Sequence, residues 1–433
     1  MITANIVSPM TTASTVSMTS MDSIAAWVCK MCDPAFPFHT LDEGLEISET
    51  SSDSCDCGTD SLCVDPLQGW GKKDCKSEGM RDKEGRLCGK VWVGVGETGG
   101  EFKGYVEEGK REGECVVTCP KENIRMLKGS YYNDKPEGFV VLEREDGSLR
   151  EGFCIDGRWD GLVREFDDDR VIRFIGRYKN GEPVGSCWLR MKGGGFLVGS
   201  MDCDWRMNTE NGAYIYPDYS TAYTGSFRAG EMLRGRACIV EAWEVTENMM
   251  KIKVTKVWGP ERSYREATEE CLSSYPLEPD PYEERWIECK QSSMAGGGEG
   301  IFARKDIPAG TLVALYNGLK QPPLAPGARP DDWDLCGYSI GYYESTTSDK
   351  GWGDLDIPAQ FRDLAAYRAT LAHKMNHSFQ NNCSFSDMVH PIYGYIPCTV
   401  TTKEVREGEE LFVHYHYSLD DCPAWYEELY NNL

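Results

Sequence analysis

Residues 373–385 read HKMNHSFQNNCSF, and residues 408–417 read GEELFVHYHY. The first is a polar segment whose Asn376 and His377 are costly to bury unless amide and imidazole find partners. The second is a β-rich run that ends on Tyr415 and Tyr417, two apart and therefore expected on one strand face. Upstream, GGGEGIFA (296–303) holds Gly298-Glu299-Gly300, a backbone able to approach a ligand closely, and TLVALYNG (311–318) contributes Tyr316. Working outward, residues 283–433 show short β-rich runs between Gly- and Pro-containing turns, with one internal helix expected near Arg362 to Lys374. The pattern is β-dominated and excludes a doubly wound α/β domain.

Five of the six histidines (His373, His377, His390, His414, His416) fall in the last 61 residues. One reading is a metal site: His373 and His377 are one helical turn apart, and His414 and His416 would share a strand face. Against it, HKMNH lacks the Glu of a metalloprotease helix. A second reading is nucleophilic catalysis by Cys383, set against the more ordinary role of a small buried residue. A third joins the Gly298 turn, the Asn376-His377 segment and the tyrosines into one site.

Between residues 91 and 255 the chain repeats itself. Glycines at 104, 129, 152, 176, 199 and 225 recur at steps of 25, 23, 24, 23 and 26, most with an aromatic close behind. Five positions after each comes a turn residue (Gly109, Asp134, Gly157, Gly181, Asp204, Gly230). Such units suit two short strands joined by a tight turn, and because one hairpin cannot bury its own apolar face, neighbours must stack.

Seventy acidic against 46 basic residues give a net charge of −24, with no basic cluster suited to a phosphate backbone, so sequence-specific nucleic-acid binding is not expected. No apolar run reaches membrane-spanning length and the amino terminus lacks a signal-peptide pattern, so no membrane partner is expected. The 19 cysteines, an odd number, read as reduced thiols. Residues 1–90 are expected to be a largely disordered acidic extension in which Cys29 and Cys32 have the spacing of a zinc ligand pair, and residues 256–282 a connector.

The GxG turn, the NHS segment and the ELxxxY segment, in that order, resemble the SET domain of protein lysine methyltransferases over residues 283–433. FKGYVEEGKREGE (102–114) and REGFCIDGRWDG (150–161) resemble membrane occupation and recognition nexus (MORN) repeats. With Trp425 in PAWYEEL (423–429), the chain resembles the SET seven/nine type of histone-lysine methyltransferase. The resemblance implies a mainly β protein: a stacked hairpin sheet, then a β-rich SET domain with a knot-like C-terminal arrangement and few short helices. It implies S-adenosylmethionine held by Gly297, Gly298, Glu299, Asn376 and His377, with Lys374 at its carboxylate end and Trp425 on its adenine. Tyr415 would be catalytic, with Tyr417 and Tyr316 lining a channel for the target lysine. Tyr316, Asp332, Trp333, Phe385 and Tyr417 would meet substrate. Phe385 stands where the family carries a tyrosine, which implies more dimethylation. The partners implied are histone tails, above all the lysine at the fourth position of histone H3, and other basic proteins. A monomer acting in the nucleus on chromosomes, and also in the cytoplasm, is expected. The rival reading is a MORN-repeat scaffold with an inactive SET domain.

Overall fold

The computed structural model describes residues 16–18, 75–84, 86–95, 100–202, 206–246, 249–294, 296–321, 337–345, 350–420 and 422–432. Asp332, Trp333, Asp204, Cys29 and Cys32 lie outside the described residues. The chain forms two compact units: residues 1–190 with 197–213 and 240–255, and residues 191–196 with 214–239 and 256–433. Among the described residues no helix is long and apolar enough to cross a membrane.

In the first unit, consecutive strands from Cys75–Arg81 through Glu182–Arg190 pair antiparallel with their sequence neighbours. Two of these strands, Cys75–Arg81 and Leu87–Val95, begin before residue 91, where the array was expected to start. The hairpins turn on pairs with positive φ: Glu108 and Gly109 (49° and 82°), Asn133 and Asp134 (50° and 73°), Asp156 and Gly157 (52° and 78°). Two such residues define the turn whose twist matches the flanking strands, which is why Gly, Asp and Asn recur there.

The repeating glycine has a different cause. Gly104 marks a shift of register against its partner strand, and a Cβ there would lie 2.5 Å from the Cys115 sulfur. The same irregularity follows Gly129 and Gly152, so at these three positions the repeating glycine marks a bulge, where the partner strand comes too close for a side chain. Phe102, Val106, Val140, Trp159, Val163 and Cys187 make a fully buried core beneath the sheet. Cys88, Cys115, Cys119, Cys187, Cys238, Cys271, Cys289, Cys383 and Cys398 are free thiols.

The second unit contains the hairpin of Thr221–Arg228 with residues 231–239 and three small sheets. One runs in the order Ile287–Gln291, Glu299–Ala303, Glu410–Val413, Asn376–His377. The second places Gly394–Thr401 between Leu312–Leu315 and Cys383–His390, and the third places Lys350–Asp356 between Leu319–Gln321 and Ser339–Ser345. Ile301, Val313, Ala314, Met375, Cys383, Leu411 and Val413 share one core.

The helix expected near Arg362 to Lys374 is not an α-helix; a 3₁₀ turn stands just before this stretch at Ala359–Phe361 and another ends it at Ala372–Lys374. Its apolar residues are not arranged in a helical stripe: Tyr367, Ala369, Leu371, Ala372 and Met375 all enter the core, which an extended, turning path allows. Among the described residues, the α-helices of this unit are Glu283–Trp286 and Ala424–Asn431.

Candidate functional site

The two quoted segments meet. Asn376 and His377 pair with Phe412 and Val413 in a parallel bridge, and Asn382 closes the contact. Its amide donates to the Glu410 carbonyl at 2.9 Å, and its Oδ1 accepts the Phe412 N–H at 2.8 Å. Strand Glu410–Val413 is thus gripped along its length by residues 376–382, with its opposite edge on Glu299–Ala303. This interlocking brings the glycine turn, the Asn-His pair and the terminal tyrosines to one place.

The strand ends at Val413, so Tyr415 and Tyr417 leave it instead of sharing its face. His416, between them, has φ 56°, and this turn sends the chain off the sheet. For the same reason His414 and His416 do not form a pair on a strand face. Their rings lie 4.2 Å apart, and among the described residues no three His, Cys, Asp or Glu side chains are grouped to hold a metal ion. Cys383 is buried, which pushes its thiol up to about 12 and leaves it unsuited to act as a nucleophile.

At the glycine turn, the Gly298 carbonyl accepts the Ser292 N–H at 2.8 Å and the Gln291 side-chain amide at 2.7 Å. Gly298 has φ 60° with open space where a Cβ would stand, whereas a Cβ on Gly297 would meet the Ser292 hydroxyl at 2.8 Å. Lys374 is buried and donates to the Glu299 carboxylate at 2.7 Å and to the Arg362 carbonyl. Asn376 donates to the Glu299 carbonyl at 3.0 Å. Glu299, Lys374 and Asn376 therefore form one connected group beside the turn.

His377 accepts the Tyr415 N–H on Nδ1 at 3.2 Å, while its Nε2 is buried without a partner among the described residues. Burial, followed by the nearby His414, holds its imidazole down to about 4, so it is neutral. The Tyr415 hydroxyl donates to the Met375 carbonyl at 2.9 Å, and the Tyr316 hydroxyl to the Tyr338 carbonyl at 2.8 Å. Burial raises the ionisation of both phenols well above its usual range, so both keep their protons. Tyr417 lies 5.6 Å from Tyr415 between ring centroids, and Trp425 lies 6.2 Å from Tyr415 and 6.1 Å from His377. Trp425 is 44% exposed, which leaves an indole surface beside the site. Phe385 packs against the same core, half-buried, on the strand Cys383–His390.

Two residues of this neighbourhood escape the sequence reading. Tyr338 holds the Tyr316 hydroxyl through its carbonyl and stacks under the Arg362 guanidinium, 4.9 Å from its ring centroid. Glu410 is buried and accepts from Ser292 Oγ (2.7 Å), Ser293 N (2.8 Å), Ser293 Oγ and Asn376 Nδ2 (3.3 Å). Position 410, the glutamate of the ELxxxY segment, was the available signal; its partners 117 and 118 residues away were not.

Known proteins point the same way. Residues 178–251 match the family described as histone H3 K4-specific methyltransferase SET7 N-terminal, and residues 298–416 match the SET domain. Histone-lysine N-methyltransferase SETD7 of Halocynthia roretzi is 34% identical over 275 residues, covering 61% of this chain and 68% of that protein. The chain belongs to the SET7/9-type SET-domain methyltransferase family. A solved Plasmodium falciparum structure, described as a candidate histone methyltransferase, matches over 32% of this chain and 98% of that one, at 14% identity with a TM-score of 0.21.

The residues of this SET domain fit an amino-acid-bearing nucleoside cofactor. The open flank of Gly298, the cationic Lys374, the unpartnered Nε2 of His377 and the exposed indole of Trp425 offer polar contacts at one end and a flat apolar face at the other.

Proposed function

We propose that this protein is an S-adenosylmethionine-dependent lysine N-methyltransferase acting on histone tails, including the lysine at the fourth position of histone H3, and on other basic proteins. The observation that carries the reading is the interlocking of residues 376–382 with strand Glu410–Val413, which sets Tyr415 against the Met375 carbonyl and both beside Lys374 and the Gly298 turn. In this reading Gly297, Gly298, Glu299, Lys374, Asn376 and His377 hold the cofactor, and Trp425 covers its base. When bound, S-adenosylmethionine supplies an activated methyl group.

The chain's own residues do the rest. A lysine of pKa ~10.4 is neutral in about one molecule in 2500 at pH 7, so presenting the free amine costs roughly 4–5 kcal/mol unless the site lowers that pKa. The aromatic rings of Tyr316, Tyr415 and Tyr417 displace water and favour the uncharged amine. Tyr415 and Tyr316 have each committed the hydroxyl proton to a backbone carbonyl. Their oxygen lone pairs are left to accept the amine's N–H groups and to aim its lone pair. No strong base is needed, because the proton leaves the ammonium before transfer and goes to solvent. Phe385 offers no hydroxyl to grip the amine and leaves room for a second methyl group, which favours dimethylation. The net charge of −24 suits basic substrates, and we place the action of the monomer at nuclear chromatin and also in the cytoplasm.

The test is transfer of labelled methyl to a histone mixture, with Tyr415→Phe as the control. Transfer should occur with the native chain and fall by about 100- to 1000-fold in the variant, the range for losing one preorganised hydrogen-bonding group in an enclosed site. Activity that survives in Tyr415→Phe removes Tyr415 from this role.

A further inference from the structure

The one-turn helix Glu283–Trp286 lies outside every segment used above, yet its first residue is a carboxylic acid with no solvent exposure. Oε1 of Glu283 accepts the N–H of Leu315 at 2.5 Å and that of Leu371 at 3.2 Å. Leu315 immediately precedes Tyr316, and Leu371 opens the segment that carries Lys374, Met375, Asn376 and His377. Neighbouring residues repeat the arrangement: the Tyr282 hydroxyl donates to the Leu312 carbonyl at 2.7 Å, and the Asp280 N–H to the Ala369 carbonyl at 3.1 Å. Residues 280–283 thus reach two separate segments of the site with two bonds to each.

We propose that Glu283 is a positioning residue for methyl transfer, fixing through one carboxyl oxygen the spacing between Tyr316 and the Met375 carbonyl that holds Tyr415. The role rests on the methyl-transfer reading above. Two converging N–H groups need one acceptor with two lone pairs, and a side-chain carbonyl oxygen meets that need without charge. The titratable groups that face Glu283 are Asp280 on its own stretch, Tyr367 from the 359–371 segment and Tyr393 from the turn after His390. Burial, and then the negative Asp280, hold the acid protonated well above the usual carboxylate range. A neutral acid is what an amide can replace.

Glu283→Gln should therefore keep the acceptor, and Glu283→Leu should remove it at similar volume. Three readouts are needed on the full chain: methyl transfer to a histone H3 peptide, calorimetric uptake of S-adenosylmethionine, and amide hydrogen exchange at Leu315 and Leu371. The Gln variant is expected to match the native chain within about threefold in kcat and to keep both amides protected. The Leu variant is expected to lose at least tenfold in kcat with KM for donor and peptide within twofold, and to expose both amides. If the Leu variant does not fold, Glu283→Asp, with its carboxyl drawn back by one methylene, is held to the same expectation. Full kcat in the Leu or Asp variant overturns the proposal, as does a Gln variant that falls as far as Leu or fails to fold. A native chain that turns over no peptide refutes the methyl-transfer reading itself, a failure visible before any variant is made.

Discussion

Replacing Glu410 with Gln tests whether the glycine turn depends on a buried carboxylate. Glu410 is 7% exposed and takes four hydrogen bonds through two oxygens, one facing Ser292 and Asn376, the other facing the N–H and hydroxyl of Ser293. An amide puts an NH₂ group where one oxygen stood, opposite two donors, so at least two charge-assisted bonds are lost whichever way it sits. At about 1.5 kcal/mol each, the low end for bonds to a charged group, the loss is about 3 kcal/mol. For a unit of this size that corresponds to a melting shift of about 6–12 °C. The lost bonds belong to the loop that leads into Gly297 and Gly298 and to Asn376, so part of the cost falls on donor binding. If half of it does, S-adenosylmethionine affinity falls about tenfold. Calorimetric titration with S-adenosylmethionine and a thermal melt measure the two effects. Donor affinity within twofold of native, at an unchanged melting point, would show that Glu410 does not hold the turn.

Phe385→Tyr adds a hydroxyl on the core-facing strand Cys383–His390, and mass spectrometry of a methylated peptide should show the product ratio moving from dimethyl toward monomethyl lysine. His390 is fully buried and held down to about 3 by desolvation, with Nδ1 accepting the Ile392 N–H and Nε2 against the Tyr216 hydroxyl. The unfolded chain therefore binds a proton at position 390 that the folded chain refuses, and stability is lost as pH falls from about 6.5 toward 3. Between pH 6 and pH 4, His390→Gln should flatten the slope of unfolding free energy by about 1.4 kcal/mol per pH unit, measured by denaturant titration. Gly104→Ala places a Cβ 2.5 Å from the Cys115 sulfur and should cost about 1–3 kcal/mol in urea unfolding, with Cys115→Ala in the same chain recovering part of it.

What could be read from the sequence and what could not divide along the range of the forces involved. The turns at Gly109 and Asp134 are local: two residues with positive φ select their own side chains, so spacing along the chain reveals them. The bulge glycines are visible as a period, but their cause, a partner strand of the same hairpin too close for a Cβ, is a cross-strand contact that spacing does not show. The SET segments were legible because their residue types are constrained by chemistry and not by packing alone. The stretch from Arg362 to Lys374 reads as a helix because it carries apolar residues at the density of one, while the core takes them in from a turning path. Tyr415 and Tyr417 were placed on a strand because alternation continues past Val413, and only His416 with its left-handed backbone breaks it.

The burial of the carboxyls Glu283 and Glu410 has no local signature, even though Glu410 stands in the ELxxxY segment. An acidic residue in a sequence reads as surface, and it belongs inside only when donors from remote segments converge on it. Each of these two receives N–H groups from such segments: Leu315 and Leu371 for one, Ser293 and Asn376 for the other. Burying an acid without those donors would cost more than any single hydrophobic contact returns, so neither side chain can settle inside until the segments that supply them have come together. The interlocked site and its two acids are therefore expected to assemble in one cooperative step, and amide exchange at Leu315 and Phe412 should report the same opening free energy. Separate openings at these two amides would show that the site is held by local contacts instead.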